Sequence, residues 1–198
     1  MKLPFNTRQF LNVFRQYNIS VWPAQIVLNI LAIVAIILIY SKFRFSDKSI
    51  TIILCILWAW TGVAYHYMHF SKINPASKLF GTLVLIQAFL FFFYGAIQNK
   101  IVFSVNADLK TIIGIGLILY ALLIYPALGR VFGHKYPYSP TFGAPCPTTI
   151  FTIGMLFMIT RPFPRLLLVI PILWSIVGGS AAIVLQIRED FGLIFQDY

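Results

Sequence analysis

Apolar residues gather along this chain into long blocks separated by short polar connections. Six blocks stand out, over 21–40, 49–70, 76–98, 109–128, 147–160 and 163–186. Five of them reach the roughly 20 residues that an α-helix needs to cross a bilayer core. None alternates apolar with polar positions, as the strands of a transmembrane barrel must. The pattern therefore predicts an all-α integral membrane protein with six transmembrane helices, built as one domain over 1–198. An even number of crossings places both termini on one side.

Two stretches depart from this pattern. Ahead of the first block, Phe10, Leu11, Phe14 and Tyr17 recur at helical spacing with Arg8 and Arg15 opposite. That is an amphipathic helix expected to lie in the interface plane. It is not read as a signal peptide, because the following apolar block is too long and no A-x-A-like site follows it. The second stretch, over 133–152, reads G-H-K-Y-P-Y-S-P-T-F-G-A-P-C-P-T-T-I-F-T. Four prolines and two glycines there separate two apolar blocks. The block after it, 147–160, covers only about two-thirds of a span. Residues 141–146 are therefore expected to form an irregular, membrane-embedded turn before the fifth helix. Such backbone persists only where protein or trapped water satisfies its polar groups.

Composition supports the membrane class: 60% of residues are hydrophobic and 10% charged, with a mean hydropathy of +0.86. Charge changes the picture less than its size suggests. The net charge is +10, but the basic residues sit in connections and near helix ends, where they meet lipid headgroups. No basic stripe interleaves with stacking aromatics, so the bilayer is the expected partner and nucleic acid is not. Lys and Arg divide 8 against 7 between the two sides, which leaves orientation open. Cys55 and Cys146 fall at different depths, too far apart for a disulfide.

The remaining polar residues collect on the side of the termini. Gln25 and Asn29 share a face of the first block, His66 and His69 end the second, and His134 and Cys146 lie in the irregular stretch. Pro145-Cys146-Pro147-Thr148-Thr149 reads as a helix start with unpaired N–H groups. These placements predict a polar cavity open to that side, lined by Gln25, Asn29, His66, His134, Cys146, Thr148, Thr149 and Thr152. The leading expectation is binding of a small solute or ion, with transport as its extension. A second is a metal- or haem-binding membrane enzyme or redox protein, with His66, His69 and His134 as ligands; His66 and His69 share a helix face. A third is a structural accessory subunit. No catalytic triad is evident and no cofactor is specified. His66 is expected inside the bundle beside Thr148 and Thr149, and His69 at the interface, so that His66→Leu costs more than His69→Leu.

The words V-A-Y-H, I-N-P-A, L-F-G, G-H-x-Y-P, P-T-F-G-x-P-C-P-T-T-I-F-T and L-W-S-I-V-G-G-S-A-A resemble a family of small bacterial multi-pass membrane proteins. That family is a domain of unknown function, some of whose members are labelled permeases. The resemblance covers about 4–192 and implies a bacterial inner membrane and no established activity. The family pattern includes Tyr65-His66 but no histidine at the position of His69, which argues against a two-histidine metal site.

Overall fold

The computed structural model describes residues 4–41, 43–160 and 162–185. The expected end of the last block at residue 186 lies outside them. Seven helices follow in order: α1 (Thr7–Ser20), α2 (Ala24–Ser41), α3 (Ser46–Lys72), α4 (Ser77–Ile97), α5 (Leu109–Val131), α6 (Pro145–Phe157) and α7 (Leu166–Leu185). Five of these, α2 to α5 and α7, are long and apolar enough to cross a membrane. The chain is an all-α membrane protein.

Local chemistry sets the helix boundaries. Asn6 caps α1 through a reciprocal pair: its Oδ1 accepts from the Gln9 N–H and its own N–H donates to Gln9 Oε1, both at 2.9 Å. Pro126 does not end α5, as it would in an uninterrupted α-helix. A π-helical turn over Tyr120–Ile124 precedes it, and such a turn accommodates the missing proline N–H. α6 begins at Pro145, two residues before the predicted start. A first-turn N–H has no intrahelical partner, so two early prolines cost the helix nothing there.

α6 organises the rest. Every residue from Pro145 to Leu156 is buried, so the other helices enclose it on all faces. Its 13 residues rise about 20 Å, against a hydrocarbon core of about 30 Å. Inward-folded connections make up the difference at both ends. Beyond its C-terminus, Ile101 and Phe103 are buried. There the Ser104 N–H donates to Met158 O at 2.8 Å, and the Thr160 N–H donates to Val102 O at 2.9 Å. Asp47, at the start of α3, accepts from the Phe103 N–H at 2.8 Å. Before its N-terminus, Phe142, Gly143 and Ala144 are buried in irregular backbone. That matches the turn expected over 141–146, except that Pro145 and Cys146 are already helical.

The amphipathic α1 does more than rest on headgroups. Phe10, Phe14 and Tyr17 are buried against Tyr65 and Phe70 of α3 and Ala182 of α7. Thr7 Oγ1 lies 3.5 Å from Leu185 O, so the start of α1 and the last described turn of α7 share one end of the bundle. Neither cysteine forms a disulfide.

α5 and α6 cross at Gly114 and Gly154. A Cβ at either glycine would stand 2.8 Å from the carbonyl oxygen of the other, which is the close backbone approach that small residues permit in membranes. Gly154→Ala should therefore destabilise the fold by about 1–3 kcal/mol through overpacking. Gly116→Ala, whose Cβ meets nothing within 4 Å, should be neutral or slightly stabilising. Thermal unfolding in detergent compares the two.

Candidate functional site

The connection between α5 and α6 is held in place by two adjacent residues of α1. Asn18 is completely buried. Its Nδ2 donates to Pro137 O at 2.7 Å and to Ser139 O at 2.8 Å, and its Oδ1 accepts from the Thr141 hydroxyl at 2.7 Å. Tyr17 donates its hydroxyl to Gly143 O at 3.0 Å; the Thr61 hydroxyl of α3, 3.2 Å from the same carbonyl, has a shorter acceptor in Leu57 O at 3.0 Å. Trp60 Nε1 donates to the Tyr17 oxygen at 2.8 Å. Burial pushes the Tyr17 phenol well above its usual range, with the Trp60 hydrogen bond opposing, so it stays a neutral donor. Position 143 calls for glycine because its φ is +96°; a Cβ there would also push the end of the Leu28 side chain aside.

Around this anchor, the single predicted cavity is two. One, of about 410 Å³, lies between α2 and α5 under the α5–α6 connection, with Gln25, Asn29, Tyr125, Tyr136, Thr141 and Pro147 in its wall. The other, of about 260 Å³, lies between α1, the end of α3 and α7. Phe10, Tyr65, Phe70, Phe80, Cys146 and Trp174 contribute to its wall. The start of α6 separates them. Successive helical residues point about 100° apart, so Pro147 faces one cavity and its neighbour Cys146 the other.

In the larger cavity the amide orientations are determined. Gln25 Nε2 donates to Asn18 O at 2.9 Å, and Asn29 Nδ2 donates to Gln25 O at 2.8 Å. Both amides thus turn their N–H groups to backbone carbonyls. Gln25 Oε1 is left buried without a partner.

The other expected residues are distributed elsewhere. Thr152 has a structural role: its Oγ1 accepts from Trp58 Nε1 at 2.9 Å and donates to Thr148 O at 2.8 Å. Thr148 and Thr149 are buried, and none of the three threonines lines either cavity. His134 also lines neither; its backbone N–H donates to Gly129 O at 2.8 Å. Among the described residues, no three His, Cys, Asp or Glu side chains come together as a metal-binding set.

His66 is completely buried, as expected, and the hydrogen-bond partner of its ring is Ser77. Its Nδ1 lies 3.3 Å from Ser77 Oγ, and its ring packs edge-on to Trp174 at 4.9 Å between centroids. His66 Nε2 has no partner. His69, expected at the interface, is buried and doubly held, with Nδ1 2.6 Å from Ala64 O and Nε2 2.8 Å from Ser20 Oγ. The packing of α1 over the end of α3 supplies Ser20 and covers this ring.

Residues 7–197 match the family model described as "Family of unknown function (DUF6064)", and the chain belongs to that family. No curated protein and no solved structure matches it.

The hydrogen bonds reverse the expected order of the two histidine variants. His69→Leu removes two short contacts, to Ala64 O and Ser20 Oγ, and should cost about 1–3 kcal/mol, whereas His66→Leu removes one longer contact to Ser77 and a nitrogen without a partner and should cost less. Asn18→Ala, which leaves two carbonyls and a hydroxyl without their partner, should cost at least about 2 kcal/mol by the same rule. Unfolding midpoints in detergent rank the three.

Proposed function

We propose that this member of a family of unknown function binds a small, hydrogen-bond-donating solute in the cavity between α2 and α5. We further propose that it serves the passage of that solute across a bacterial inner membrane. The observation that carries the reading is Gln25 Oε1, a buried acceptor without a partner in a residue that lines the cavity. A stranded acceptor costs about 1–3 kcal/mol, and a solute N–H or O–H placed against it recovers that cost. Asn29 adds a second amide on the same helix face, four residues on. Trp22, Tyr125 and Tyr136 surround the site with aromatic rings, which suit a small organic body or an alkylammonium cation. The inner membrane comes from the resemblance of the sequence words, and the lipid setting from the five long apolar helices.

Glycerol, urea and methylammonium chloride serve as probes of different donor geometry. At least one should raise the unfolding midpoint of the purified protein, as a ligand of the native state must. Gln25→Met should weaken that probe about tenfold, the value of one hydrogen bond of about 1.4 kcal/mol. Flux of the same probe into proteoliposomes tests passage separately. No shift with any probe, or equal shifts in wild type and variant, would count against the site.

A further inference from the structure

We infer that the ligand of the cavity between α2 and α5 arrives from the bilayer, as an uncharged single-chain amphiphile whose head donates hydrogen bonds to Asn29. This rests on the proposal that the cavity binds a hydrogen-bond donor, and it names the class of molecule that carries the donor.

One flank of the cavity is open to lipid. Ile26, Ile30 and Ile33 line it, yet they are 48%, 53% and 51% exposed. A side chain that borders a cavity and also faces outward stands at its mouth. The three recur at i, i+4 and i+7, so they form one stripe along α2. α2 packs on α3 and leaves a gap towards α5. Across that gap stand Ala121 and Leu122, from the π-helical turn of α5, with Tyr125 and Pro126 just beyond it. From Gln25 to Ile33 the wall rises about 12 Å along α2, which reaches the middle of that apolar helix. The mouth therefore opens at the depth of the acyl chains, and a membrane-dissolved molecule enters it sideways.

The wall changes character along this rise. Gln25, Asn29, Tyr136 and Thr141 stand towards the end of the bundle, and Ile30, Ile33, Ala121 and Leu122 towards the bilayer centre. A polar head and an apolar tail are thus provided for in one groove. Asn29 fixes the chemistry of the head. Its Nδ2 donates to Gln25 O at 2.8 Å, and its Oδ1 accepts from no described residue. Unlike Gln25 Oε1, this oxygen is not enclosed: Asn29 is half-buried and lines the cavity, so there is room beside it. A bare amide on an apolar span is costly in a membrane unless a partner reaches it, and an oxygen takes only a donor. None of the lining residues is charged, so a cationic head would be buried without a counter-charge. That favours a hydroxyl over an ammonium. At about 410 Å³ the cavity lies within the roughly 300–1,000 Å³ of small-molecule pockets, enough for a head and one chain.

The test uses the full-length protein in lipid nanodiscs and two photoprobes, 1-monododecanoylglycerols with a diazirine at the chain end or next to the head. Saturable labelling is expected at or beside Ile33 and Leu122 from the chain-end probe, and at or beside Gln25 and Tyr136 from the other. At equal mole fraction in the bilayer, unlabelled 1-monododecanoylglycerol should displace either probe at least about tenfold better than its 2,3-dimethyl ether. The ether has the same chain and no donor, and tenfold is the value of one hydrogen bond. Asn29→Leu should bring that ratio close to one. Ile33→Trp, which fills the inner end of the groove, should abolish chain-end labelling at Leu122 and keep the midpoint shift that a small solute gives. The ratio in wild type decides the matter even where a variant fails to fold. Equal displacement by diol and ether, labelling confined to other helices, or no saturable labelling would overturn the amphiphile. If glycerol, urea or methylammonium still shifts the midpoint in that case, the cavity remains a small-solute site; if none does, both readings fall.

Discussion

A buried carbonyl with nothing to accept from is the liability that this architecture has to manage at both ends of α6. The helix is too short to cross a bilayer by itself, so irregular backbone has to follow it into the protein, where lipid offers no hydrogen bonds. At one end the answer is Tyr17, which donates to the Gly143 carbonyl, together with Asn18, which gathers three groups of the α5–α6 connection. At the other, Asp47 accepts from the Phe103 N–H and the backbone of 102–104 pairs with that of 158–160, so that the Val102 and Met158 carbonyls find donors within the protein. α1 is thereby part of the core: without it the connection before α6 loses its hydrogen-bond partners.

The same arrangement gives meaning to polar groups that are not satisfied. A fold that pairs Asn18 at every polar atom of its side chain does not leave acceptors bare for lack of donors in general. Among the described residues six buried side-chain atoms lack a partner. Gln25 and Trp174 are residues that line cavities, and the His66 ring packs edge-on to Trp174. They fall on opposite sides of α6, one group in a wall with amides and tyrosines, the other among aromatic and small residues.

Much of the fold was legible in the chain because it rests on local quantities. Block length and hydropathy are properties of a window, and they sufficed for the membrane class and the run of helices. Helical spacing in 7–20 marked the amphipathic α1, and the deficit of length after Gly143 marked the irregular entry to α6.

Which way each polar side chain turns was decided by tertiary structure, because the partner comes from far along the chain. Asn18 meets its carbonyls 119 and 121 residues away, and the only sign in the sequence was an amide beside the apolar stripe of α1. Cys146 and Pro147 look like one site in the sequence and face two cavities, because a helix rotates successive residues apart and α6 is enclosed on all sides. His69 reads as an interfacial residue until α1 is folded over it and Ser20 arrives from 49 positions away. Hydrophobic periodicity determines what must be buried; it carries no information about which donor meets which acceptor once burial has removed water from both.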